Sequence, residues 1–124
     1  MNDKPVFRLI IAGGRNFNDY PLLRDNCNIL LSQKINTHNV VIISGTCRGA
    51  DLLGEQYARE NNLPVYRYPA NWKEYGKTAG YLRNRKMAEE ADALVAFWDG
   101  KSKGTANMIT LARVRQLQIR IIRY

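Results

Sequence analysis

The sequence predicts a doubly wound α/β domain: a five-stranded parallel sheet in the order 3-2-1-4-5, with helices on both faces. Three observations lead there. Short apolar runs, several of them β-branched, alternate strictly with stretches of helical periodicity. The apolar runs are too continuous for a sheet with one wet face, so both faces are covered. Four of the runs are followed by turns rich in polar residues, three of them in glycine, and turns after parallel strands share one edge of the sheet.

The elements follow in order. Residues 6–12 are apolar except for Arg8 and end at Gly13-Gly14, so they read as a buried strand. Asp19 caps a helix whose first turn tolerates Pro21. Leu23, Cys27, Leu30 and Leu31 then recur at helical spacing and carry it to about Lys34. The β-branched run Val40-Val41-Ile42-Ile43 marks a second strand, residues 39–44. A helix over residues 50–61 has Leu53 and Tyr57 on one face, and residues 63–68 form a shorter third strand. Residues 69–77 read as a polar, aromatic loop. A helix over 79–90, a strand over 93–98, a helix over 104–116 and a closing strand over 119–123 complete the alternation. Right-handed crossovers place the first strand centrally, with the switch point between strands one and four.

All 124 residues form one domain, without an internal repeat, low-complexity tract or linker. No apolar run approaches the ~20 residues that span a bilayer, so no membrane partner is expected. Met1-Asn2-Asp3-Lys4-Pro5 has no signal-peptide character. Cys27 reads as a small buried hydrophobe. Cys47, in a loop, reads as a small loop residue, with a reactive thiol as the alternative. Two cysteines make no disulfide framework, and a reducing cytoplasm is the expected location.

Nineteen Lys and Arg against 11 Asp and Glu give a net charge of +8. Part of it is spread over helices and the last strand, as at Arg24, Arg59, Arg113, Arg115, Arg120 and Arg123. Another part falls in or beside the four turns: Arg15, Arg48, Lys73, Lys77, Arg83, Arg85, Lys101 and Lys103. That second set points to an anionic ligand at the turn edge.

The turns carry the candidate site. Gly13 and Gly14 let backbone approach an anion, and Arg15 adds a charged fork. Ser44, Gly45, Thr46 and Gly49 supply hydroxyls and open N–H groups ahead of a helix; Arg48 adds a cation, and Asp51 orients the loop or accepts from a ribose hydroxyl. Asp99, Ser102, Gly104 and Thr105 form a phosphate cradle facing the first turn. Trp72 offers a ring to a base. Arg83 and Asn84 reach the site from the third long helix, although neighbouring helical positions point apart and only part of the 83–85 run is expected to face it. His38 lies at the opposite edge as a surface residue. No metal-ligand spacing and no Ser-His-Asp set is present.

Read together, Gly13-Gly14-Arg15-x-Phe17-x-Asp19-Tyr20, Ser44-Gly45-x-x-Arg48-Gly49-Ala50-Asp51, Asn71-Trp72…Gly76-Lys77-x-Ala79-Gly80, Arg83-Asn84-x-x-Met87 and Phe97-Trp98-Asp99-Gly100-x-Ser102-x-Gly104-Thr105 resemble the SLOG superfamily, and within it the small YspA-like proteins. The resemblance covers nearly the whole chain. It implies a Rossmann-like fold and a nucleotide-type ligand, of the NAD or ADP-ribose kind. Lonely-guy phosphoribohydrolases and the Smf/DprA proteins are similar members. Against the lonely-guy pattern, Arg83 matches the catalytic Arg and Gly104-Thr105 the Gly-Thr pair, but Met108 stands where the catalytic Glu is expected.

The expectation is therefore a module that binds a phosphorylated nucleotide-derived ligand, as a sensor or sequestering protein of bacterial or phage origin, with no certain cofactor. The alternatives are a nucleotide N-glycosidase using Arg83 and Asp99 as catalytic residues, and a single-stranded nucleic-acid-binding protein. By analogy, a homodimer or higher oligomer is expected through the apolar positions of the third and fourth long helices.

Overall fold

The computed structural model describes residues 3–124; the reading of Met1 and Asn2 falls outside them. Five parallel strands form one sheet in the order β3-β2-β1-β4-β5, as the alternation required. They are β1 (Val6–Gly13), β2 (Asn39–Ser44), β3 (Val65–Arg67), β4 (Ala93–Trp98) and β5 (Gln118–Arg123). The helices are α1 (Tyr20–Leu31), α2 (Lys34–Thr37), α3 (Ala50–Glu60), α4 (Trp72–Tyr75), α5 (Ala79–Glu90) and α6 (Lys103–Val114). No helix among the described residues is long and apolar enough to cross a membrane.

Two apolar clusters cover the two sheet faces. Phe7, Leu9 and Ile11 of β1 meet Leu23 and Cys27 of α1 and Tyr57 and Ala58 of α3 on one side. Ile10 of β1 and Leu94 of β4 meet Met87 and Ala88 of α5 and Met108 and Ile109 of α6 on the other. Side chains alternate across a strand, so consecutive β1 residues feed opposite layers and the run reads as continuously apolar. Cys27 is fully buried, which pushes its thiol up to about 12.

Several boundaries differ from the sequence reading. Helix α1 ends at Leu31 rather than near Lys34; the Ser32 hydroxyl donates to the Ile29 carbonyl, and α2 follows as a separate turn. Strand β3 shrinks to three residues. The expected loop over 69–77 contains α4, capped by Asn71, whose side chain accepts from the Glu74 N–H while its amide donates back to the Glu74 carboxylate. This reciprocal pair resembles a capping box. The cap of α1 is as expected, with Asp19 accepting from Leu22 N–H.

On α5 and α6, Met87, Ala88, Met108 and Ile109 are buried against the sheet and each other, while Tyr81 and Val114 stay exposed. His38 is partly buried at the N-terminal edge; Phe7 packs edge-on against its ring and Thr37 Oγ1 lies 2.8 Å from Nδ1.

Candidate functional site

The four turns converge on the C-terminal edge of the sheet. The floor is the end of β1. Gly14 N–H donates to the Phe97 carbonyl, and the Gly14 carbonyl accepts from both Phe17 N–H and Ala50 N–H, each at 3.2 Å. A Cβ on Gly13 would fall 2.8 Å from that of Ala50. Gly49 has φ +82° and lies against the backbone of Gly14 and Arg15. The first and second glycine turns are therefore interlocked by backbone alone.

The second turn is braced from below. Ser44 is buried; its Oγ donates to Glu55 Oε2 at 2.6 Å and accepts from Thr46 N–H at 3.1 Å. Arg67, on β3, reaches the other oxygen of Glu55 at 2.7 Å. Held this way, Thr46 keeps a φ of +69°, costly for a β-branched residue. Asp51 Oδ2 accepts from Cys47 N–H at 3.1 Å, closing the turn onto α3. Burial pushes the Asp51 carboxyl up to about 6, against the opposing pull of Cys47 N–H, Arg83 and Arg15.

Arg83 of α5 joins these parts. Its guanidinium donates to the Gly45 carbonyl, lies 3.7 Å from Cys47 Sγ, and through Nε donates to Asn84 Oδ1 at 2.9 Å. Asn84 in turn donates to the Gly104 carbonyl and to Asn107 Oδ1. Arg83 and Asn84 thus both face the site despite being adjacent, because Arg83 is long enough to curl back; Arg85 is exposed and lines no cavity.

In the fourth turn, Asp99 Oδ1 accepts from Lys101 N–H and Ser102 N–H, both at 2.8 Å. These bonds hold its carboxyl below the ordinary range. Ser102 caps α6 by accepting from Thr105 N–H. Helix α6 therefore starts one residue before Gly104, which puts Gly104 in its first turn.

A cavity of about 450 Å³ fills the space between these turns, within the roughly 300–1,000 Å³ usual for small-molecule sites. It brings together Gly13, Gly14, Arg15, Arg48, Asp51, Trp72, Arg83, Asn84, Asp99, Ser102, Gly104 and Thr105. A second, more open cavity of about 600 Å³ adjoins it and takes in Gly45 and Thr46. Ser44 and Gly49 line neither; they hold the second turn in place. Trp72 stands half-exposed between the cavities, with the Arg15 guanidinium 5.8 Å from its ring centre. A Cβ on Gly80 would come within 3.3 Å of that ring.

Sequence reasoning missed several wall residues. Tyr81 and Tyr124 line the first cavity, as does buried Met108; Lys77, counted among the basic residues beside the turns, lines it too. Glu55, the brace behind the second turn, was also missed. It lies four residues after Asp51 and so on the same helical face, a pairing of acids that would have flagged it. Arg15, Arg48 and Lys77 form no salt bridge among the described residues, although Arg15 and Arg83 act on the Asp51 carboxylate at longer range.

Comparison with known proteins places the fold. The chain is 31% identical over 112 residues to Gene 61 protein of Mycobacterium phage D29, covering 86% of this chain and 88% of that one. Among solved structures, DNA processing protein A from Helicobacter pylori, described for its single-stranded DNA binding mode, superposes with a TM-score of 0.64 at 20% identity; the match covers 96% of this chain but only 66% of that protein, just under two thirds. The structural-genomics target TM1055 superposes with a TM-score of 0.61 at 23% identity, covering 94% of this chain and 72% of that one. Both share the fold. The profile of the YspA, cpYpsA-related SLOG family matches residues 7–75; the chain belongs to that family.

Proposed function

We propose that this protein binds a phosphorylated nucleotide in the cavity at the switch point, as a sensor or sequestering module. The observation that carries the reading is that two glycine turns, Gly13-Gly14 and Gly104, line one cavity together with Arg15, Arg48, Lys77 and Arg83. The start of α6 at Gly104 and the nearby cations together suit a phosphate, and Trp72 offers a face to a base. Nucleotides of the NAD or ADP-ribose kind fall within this class.

The test is calorimetric titration with nucleotides at fixed salt, on the wild type and on Arg15→Ala/Arg48→Ala. The double variant should keep its fold by circular dichroism and lose binding. Unchanged affinity would refute the assignment.

Single-stranded nucleic acid is the second reading, favoured by the +8 charge and by the single-stranded DNA binding described for the Helicobacter pylori protein. Sequence-independent binding that disappears at moderate salt would reduce it to a cationic surface. The hydrolase reading has less support. Met108 lines the cavity and offers no carboxylate, and Asp99 commits an oxygen to two backbone N–H groups. Free base released from nucleoside monophosphates would revive it.

A further inference from the structure

The second cavity has a use that the first does not exhaust. Its described lining contains three arginines, Arg15, Arg48 and Arg83, and no carboxylate. The first cavity shares these arginines but also contains Asp51 and Asp99. Arginines gathered in a concave space focus a positive potential and favour an anion, and Asp51, the carboxylate that acts on Arg15 and Arg83, lies outside this lining. Thr46 adds a hydroxyl that makes no hydrogen bond among the described residues, in a turn whose left-handed φ is held by Ser44 and Glu55.

The two spaces are not independent. Arg15, Cys47, Arg48, Trp72 and Arg83 belong to both. Trp72, stacked on Arg15 and 48% exposed, stands at the boundary between them. An anion site therefore lies on each side of an available aromatic face. A ligand that matches this order has a nucleoside in the middle and a phosphate at each end. A pyrophosphate, with its charges adjacent, would satisfy only one side.

We infer that the paired cavities bind a free nucleotide carrying phosphates at both its 5′ and 3′ positions, with the nucleoside against Trp72, the 5′ group between Gly14 and Gly104, and the 3′ group among Arg15, Arg48 and Arg83. This rests on the nucleotide-binding reading above and narrows its ligand class. The 5′ group takes the glycine-walled side because Gly104 presents an unobstructed helix start there.

The experiment is calorimetric titration at fixed moderate salt with adenosine 5′-monophosphate, adenosine 5′-diphosphate, adenosine 3′,5′-bisphosphate and a 5′-phosphorylated adenylate dinucleotide. The bisphosphate should bind at least about tenfold tighter than either 5′-nucleotide, the increment of a charge-assisted contact. Ala70→Glu, which puts a carboxylate in the second cavity alone, should collapse that ratio toward one while circular dichroism stays native. If the monophosphate binds and the bisphosphate is no tighter, the inference fails and nucleotide binding stands. If the diphosphate equals the bisphosphate, total charge rather than its position governs, and the inference fails. If the dinucleotide outranks the bisphosphate, the second cavity takes a strand backbone and the free-nucleotide assignment is overturned. If none of the probes binds, the inference and the proposed function fall together.

Discussion

The Arg83 guanidinium donates to the carbonyl of Gly45, so a helix on one side of the sheet holds shut a turn that leaves the end of β2. Gly45 has room for this only because it lacks a side chain. A Cβ there would sit 2.8 Å from Asp51 Oδ2 and 2.9 Å from Arg83 Nη1.

Arg83→Ala should therefore lower stability by about 1–2 kcal/mol, read by urea unfolding, and nucleotide affinity by tenfold or more. Arg83→Lys keeps the charge but loses the planar fork, and its affinity should stay well below wild type. Gly45→Ala should reproduce both defects by forcing Asp51 and Arg83 apart. Wild-type affinity in all three would remove this contact from the site.

Asp51 makes stability pH-dependent in a direction opposite to that of an ion-paired carboxylate. Its folded pKa is raised from 3.8 to about 6, so protonation favours the folded state. That contribution is fully present below the unfolded value and is lost as pH rises through the folded one. Ionising Asp51 in the fold costs on the order of 3 kcal/mol. The melting temperature of the wild type should gain on that of Asp51→Asn as pH falls from about 7 to about 4.5. A difference between the two proteins that stays constant with pH would mean the carboxyl is not perturbed.

The two thiols should behave oppositely toward an alkylating reagent. Cys27 is fully buried and its thiol pushed up to about 12, while Cys47 is partly exposed and faces both cavities. Iodoacetamide should modify Cys47 alone in the folded protein, as read by peptide mass spectrometry. A bound nucleotide should slow that reaction. Modification at an undiminished rate under saturating nucleotide would separate the ligand site from Cys47.

Gly104 separates ligand binding from stability. It is in the first turn of α6, and a Cβ there would meet nothing within 4 Å. Gly104→Ala should be neutral or stabilising by up to about 1 kcal/mol. Gly104→Asp should also remain folded, since a carboxylate suits a helix start, yet it should repel a phosphate and cut affinity at least tenfold. Equal affinities for the two variants would place the phosphate elsewhere.

The sheet order was legible because each strand carries a local signal. The run 40–43 is β-branched throughout, and the apolar run of β1 reflects burial on both faces. Most wall residues were legible for a similar reason, since glycines and basic residues after parallel strands share one edge. What escaped notice depends on contacts distant in sequence. Tyr124 reaches the cavity because β5 pairs with β4 and brings its ring to Phe17, at 4.8 Å. Tyr81 reaches it from the first turn of α5. Helix α4 did have a local signal, the Asn71 and Glu74 pair three residues apart, which the aromatic character of the segment masked.

The shared Gly14 carbonyl, bonded to both Phe17 and Ala50 N–H, makes the first two turns a single mechanical part. A residue inserted into either would displace the other, so neither is free to drift in length or shape. The segment 69–78 is under no such restraint: it lies almost wholly exposed and meets the cavity through Trp72 and Lys77. Such a scaffold can change what it recognises by rewriting that outer segment while its interlocked glycine turns stay as they are.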